Sequence, residues 1–143
     1  MQMQDEPTRR LATGVGTGSS VLVVDDEGAV RRFAMRVLER EGFKVFEASH
    51  GGQALDMVRE GMAQVDVVVS DIVMPNVNGV ELLLGLKSTH PELPVILMSG
   101  YATDELTALG IAVPCGVITK PFPAERLLAE VQRCIKGTRT TRS

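Results

Sequence analysis

VLVVDDE, residues 21–27, sets four consecutive aliphatic side chains directly before Asp25, Asp26 and Glu27. An apolar run this short suits a strand buried on both faces, as strands of a parallel sheet are. Helical spacing follows it. Val30, Phe33, Ala34, Val37 and Leu38 recur at i, i+3, i+4, i+7 and i+8, and Gly42 stands where such a helix would stop. The alternation then repeats. Strands are expected over 43–48, 65–70, 95–98 and 117–119, and helices over 53–60, 80–88, 103–109 and 124–135. Lys44 and Glu47 mark the second strand as less buried and near an edge. Pro91 and Pro94 close the third helix, and Pro123 is tolerated at the start of the last. Strands alternating with helices imply a parallel sheet covered on both faces. Five right-handed units fit an α/β, flavodoxin-like (βα)5 fold, a doubly wound three-layer αβα sandwich with strand order 2-1-3-4-5.

The chain has 143 residues, the length of one domain. Aromatics are only 3% of it and Trp is absent, so the core must be aliphatic. Residues 1–20 are polar and aperiodic, and they read as a disordered arm or linker. Residues 137–143 read as a frayed tail, which leaves 21–136 as the domain. The net charge of −3 comes with no basic stripe, which argues against direct contact with nucleic acid. No apolar run reaches the length of a membrane span and no signal peptide is visible, so a cytoplasmic setting is expected. Cys115 and Cys134 stand in no metal-ligand spacing and are expected to be reduced and partly buried.

One regularity carries the chemistry. Four of the five apolar runs end in a polar residue: Asp25 and Asp26 after the first, Asp71 after the third, Ser99 after the fourth and Lys120 after the fifth. In the expected strand order those four strands are contiguous, so the groups converge on one crevice. Each alone has an ordinary explanation, as a turn former, a helix cap or a solvated charge. Together they make an acidic pocket facing a lysine. Crowded carboxylates either rise in pKa or bind a cation, and an oxygen-rich set suits Mg²⁺. A divalent cation and a lysine facing one carboxylate form a clamp for a phosphoryl group.

At these residues the sequence resembles the receiver domain of two-component response regulators. The matching pieces are VLVVDDE (21–27), VDVVVSDIVMPNVNG (65–79), VILMSGY (95–101) and ITKPF (118–122). The resemblance implies Mg²⁺-dependent transfer of a phosphoryl group from a phosphohistidine to Asp71, switching affinity for a partner. It makes Asp26 and Asp71 direct Mg²⁺ ligands, with Asp25 acting mainly through water and the Val73 carbonyl completing the set. Ser99 becomes the switch hydroxyl, and Lys120 pairs with Asp71 and then with the phosphoryl group. It also implies a cis Lys120–Pro121 bond. Many receivers carry an aromatic three residues before the lysine; here that residue is Val117, and Tyr101 is an alternative gate. The weak helix at 103–109 is expected to be the part that reports phosphorylation.

The implied partners are a sensor histidine kinase or a histidine phosphotransfer protein, together with an output protein the sequence does not identify; a homodimer stays open. The stretch after Lys136 is too short for an output domain, so the effect is expected to work through a partner, through a phosphate-sink role or within a longer parent protein. MSGYATDE (98–105) resembles receivers attached to hybrid histidine kinases, so a single-domain regulator and the receiver of such a kinase both stay open. The chain is expected not to be an enzyme beyond its own phosphorylation and dephosphorylation. A hydrolase using Asp71 would ordinarily carry a second acid two residues on, where Val73 stands. A flavin or nucleotide site would need a glycine-rich loop where Asp25, Asp26 and Glu27 repel phosphate.

Overall fold

A computed structural model describes residues 18–61, 64–74, 76–100 and 114–142, with side chains to residue 137. The arm at 1–17, Pro75, Tyr101 and the expected helix at 103–109 lie outside the described residues. Within them the order is β1 (Ser20–Val24), α1 (Gly28–Arg40), β2 (Lys44–Ala48), α2 (Gly51–Arg59), β3 (Val67–Asp71), α3 (Gly79–Thr89), β4 (Val95–Ser99), β5 (Gly116–Thr119) and α4 (Ala124–Arg142). All five strands are parallel, in the order β2-β1-β3-β4-β5.

Alternation along each strand builds the three layers. Val21 and Val23, Val67 and Val69, and Ile96 and Met98 face one side, where they pack with Ala34, Val37 and Leu38 of α1 and Leu127, Val131 and Ile135 of α4. Leu22, Val24, Val68, Val95 and Leu97 face the other, against Ala54 and Val58 of α2 and Leu82, Leu83 and Leu86 of α3. Both faces are thus dry, which is why β1, β3 and β4 read as unbroken aliphatic runs. β2 is an edge strand with exposed Lys44 and Glu47, as its charges require. Gly42 and Gly61 take positive φ just past α1 and α2, the left-handed conformation that ends a helix. Asn78 and Glu81 close a reciprocal capping box at the start of α3.

Four expectations change. β1 begins at Ser20, and Ser19 and Ser20 are buried, so the domain starts before residue 21. α4 runs on through Gly137 to Arg142 where a frayed tail was expected. Phe33 does not join the buried stripe of α1. It is 43% exposed and its ring stands 5.9 Å from that of Phe122. Finally, Cys115 and Cys134 are not free thiols but form a disulfide. The fold brings the residue before β5 against α4, with Cα atoms 6.1 Å apart, inside the range a disulfide spans. Nothing in the spacing of the two residues along the chain signals that proximity. No helix among the described residues is long and apolar enough to cross a membrane.

Candidate functional site

The register of the sheet decides where the polar ends fall. Val24 pairs with Ser70, Asp71 with Met98 and Ser99 with Thr119, so Asp25, Asp71, Ser99 and Lys120 emerge along one edge. Asp71 is itself the last residue of β3, one position beyond the expected strand end.

Asp25, Asp26 and Asp71 each offer a carboxylate oxygen within 4.8 Å of the others. Asp25 is fully buried, Asp71 is 7% exposed and Asp26 faces solvent. Two such charges at that separation repel by about 3 kcal/mol at an effective dielectric near 20. Lys120 answers them. Its Nζ lies 2.9 Å from Asp25 Oδ2, 3.3 Å from Asp71 Oδ1 and 3.9 Å from Glu27 Oε1. The lysine therefore bridges two acids, and its shorter contact is with Asp25. Burial raises the Asp71 carboxyl above its usual range and the charge of Asp25 adds to that, while Lys120 pulls it back in part. Burial also pulls the Lys120 ammonium down, but its contacts with Asp25 and Asp71 outweigh this and hold it above its ordinary value. Three carboxylates at one edge of the sheet, of which Asp26 faces solvent, with a lysine between the other two, form an oxygen donor set that fits a small hard divalent cation.

Backbone contacts fix the acids. The Glu27 amide donates to Asp25 Oδ1 at 2.9 Å, and the Asp25 amide donates to the Ala48 carbonyl at 3.2 Å. Arg31, on α1, donates through Nη1 to the Asp25 carbonyl at 2.6 Å and through Nε to Glu47 at 2.7 Å. Sequence reasoning missed this arginine, because a helix-surface cation carries no sign of which carbonyl it will reach. Ser99 is buried at the end of β4, and the Lys120 amide donates to its carbonyl at 2.7 Å, tying the ends of β4 and β5 together. The Lys120–Pro121 bond is cis. Val73 lies two residues past Asp71 with its side chain 61% exposed. Val117 is half-buried, and its carbonyl accepts from Arg126 Nη2 at 3.4 Å.

Gly79 is a second residue whose part in the site the sequence does not announce. Its amide donates to the Ile72 carbonyl at 2.8 Å. A Cβ there would land on the Asp71 carbonyl oxygen and come within 2.8 Å of Ile72 Cα. Those are backbone atoms, which cannot swing aside. Gly79→Ala is accordingly expected to cost about 1–3 kcal/mol, the usual price of overpacking, and to displace Asp71. Urea unfolding measures the first effect. A midpoint equal to that of the wild type would mean that the turn yields freely.

Comparison with known proteins bears on what this cluster is. The family profile described as the response regulator receiver domain matches residues 21–132. The sensor kinase CckA of Brucella abortus is 39% identical over 126 residues, covering 87% of this chain and 13% of the kinase. A receiver domain from the hybrid histidine kinase CckA superimposes with a TM-score of 0.68 at 32% identity, over 82% of this chain and 99% of that one. A response regulator receiver domain protein from Clostridium thermocellum gives 0.77 at 26% identity, over 86% and 98%. Curated relatives are mostly longer; the chain spans 58% of a probable transcriptional regulatory protein from Picosynechococcus and about an eighth of the kinase. Because the profile match runs from the second residue of β1 into α4, it takes in every member of the acid–lysine cluster, and the chain belongs to the family of response regulator receiver domains.

Proposed function

We propose that Asp71 is the phosphoacceptor of this receiver and that Asp25, Asp26, Asp71 and the Val73 carbonyl hold Mg²⁺. The observation that carries the reading is the position of Lys120 Nζ, within 3.3 Å of both Asp25 and Asp71. A carboxylate nucleophile needs its own charge kept available and the incoming charge neutralised. Lys120 does the first by holding Asp71 toward its ionised form against burial. It does the second by standing where a phosphoryl oxygen would arrive. An Asp71 carboxylate oxygen attacks phosphorus in line, the phosphorus–nitrogen bond of a phosphohistidine breaks, and the imidazole leaves and takes a proton from solvent. Bound Mg²⁺ supplies further neutralisation of phosphoryl charge. The Ser99 hydroxyl then donates to a phosphoryl oxygen.

The donor is a sensor histidine kinase or a histidine phosphotransfer protein in the cytoplasm, and the phosphorylated form changes its affinity for an output protein. Likeness to CckA supports a receiver that serves a kinase-linked phosphorelay. The receiver unit runs from β1 through α4 with a linker before it, and its chemistry is confined to its own phosphorylation and dephosphorylation. Incubation with Mg²⁺ and a small acyl phosphate, followed by intact mass, tests this. Wild-type protein is expected to gain one phosphoryl group, and to gain none when a chelator removes the metal. A gain that survives the chelator would reject the proposed site.

A further inference from the structure

The disulfide lies in a position that the phosphoacceptor reading does not use. Cys115 immediately precedes β5 and is half-buried, whereas Cys134 is 1% exposed on the face of α4 that packs against the sheet. Between the two cysteines the chain passes through β5, Lys120 and the first turns of α4. The bond therefore closes a covalent ring that contains Lys120, the residue bridging Asp25 and Asp71.

A second, non-covalent set of ties joins the same two elements. Arg133 Nη2 donates to the Cys115 carbonyl at 2.7 Å, and Arg126 Nη2 donates to the Val117 carbonyl at 3.4 Å. Glu130, 7% exposed, holds both arginines, at 3.1 Å and 2.7 Å. Gly116 leaves room for this lattice, since a Cβ there would come within 2.8 Å of Arg133 Nη2. Small scaffolds rely on disulfides because they lack a core. This domain has two extensive apolar clusters and a polar lattice already holding α4 to β5. The cross-link is thus not what folds the domain, which leaves it free to open and close on a folded protein.

We infer that Cys115–Cys134 is a reversible redox modification site, reduced by a dithiol, whose state sets how firmly α4 is docked on β5 and so how firmly the Lys120 segment is held. A thiolate of the dithiol attacks the Cys115 sulfur, the less buried partner. The sulfur–sulfur bond breaks and Cys134 leaves as a thiolate that takes up a proton. The second thiol of the reductant then displaces the Cys115 sulfur, which is protonated in turn. Two electrons and two protons pass to the protein, and the dithiol ends as a disulfide. The consequence at Asp71 rests on the phosphoacceptor reading; the exchange itself does not.

The test uses the full chain, dithiothreitol as the dithiol, oxidised glutathione as the oxidant and an alkylating agent as the counter. Oxidised protein is expected to take up no label, and reduced protein to label at both cysteines. Reoxidation should restore the unlabelled count. Amide exchange over β5 and α4 is expected to be about fivefold faster in the reduced form, a modest coupling between sites. A C115S/C134S variant should exchange at the reduced rate under both conditions. Thiols that stay open to label after the oxidant would overturn the inference, and so would equal exchange in the two states. A chain that takes no phosphoryl group in either state, yet shows these counts and rates, would overturn the phosphoacceptor reading and leave the redox site standing.

Discussion

Lys120→Met is expected to slow phosphorylation of Asp71 by at least about a hundredfold, the usual loss when one preorganised charge donor is removed from a reacting centre. Methionine keeps the length and apolar stem of lysine but removes the only cation placed against both Asp25 and Asp71 among the described residues. Stability should fall as well. Asp25 is fully buried, and breaking a buried pair by deleting one partner costs about 3 kcal/mol, because the remaining charge is left uncompensated. The pH dependence has a definite sign. The folded ammonium is held above its ordinary 10.5, so its stabilising contribution is complete below that value and fades only as the pH rises through the higher folded one. The deficit of the variant should therefore persist through neutral pH and close only in strong alkali. Mg²⁺ should rescue the variant more than it helps the wild type, since a cation bound only by the folded state stabilises it by mass action. Urea midpoints at two Mg²⁺ concentrations measure this. A variant as stable as wild type without metal would mean that Lys120 does not compensate the two acids.

Much of this was legible in the sequence because burial on both faces leaves a simple mark. β1, β3 and β4 read as strands since every position in them is dry, and the polar residue ending each run was the visible trace of the site. What escaped is what depends on contact between distant residues. Arg31 reaches the Asp25 carbonyl only because α1 leans over the turn after β1. The disulfide depends on the start of β5 lying against the third turn of α4, which spacing along the chain does not encode. Phe33 had the right period for the core, yet it is 43% exposed and its ring neighbour is Phe122, in the segment after Lys120, a contact that helical spacing does not encode. The added length of α4 lies in polar residues whose helical character a hydrophobic pattern cannot register. Gly79 closes the second motif, but the reason a glycine stands there, the close passage of the Asp71 carbonyl, is a backbone contact that the motif does not spell out.

Asp71→Asn should abolish the phosphoryl gain entirely, since an amide oxygen is not a competent nucleophile at phosphorus. It should also make the protein more stable, and the second effect is the sharper test of the geometry. The folded Asp71 carboxyl is raised above 3.8 by burial first and by the Asp25 charge second. A raised acid is one whose ionised form the folded state disfavours. Below the unfolded value both states carry the proton and the group contributes nothing. As the pH climbs the unfolded chain ionises first, and from there the carboxylate costs the folded state free energy at every higher pH. The amide escapes that cost, at the loss of one contact to a Lys120 that still has Asp25. In metal-free buffer near neutrality the gain should be about 0.5–2 kcal/mol, as is common where function has been placed above stability. It should shrink toward zero as the pH falls to the carboxylate range, and Mg²⁺ should reverse its sign by stabilising the wild type alone. Denaturation curves for both proteins across that pH range decide the matter. If Asp71→Asn were less stable than wild type in metal-free buffer at neutral pH, Asp71 would be a structural ion-pair partner of Lys120 and not a carboxylate held ready for chemistry.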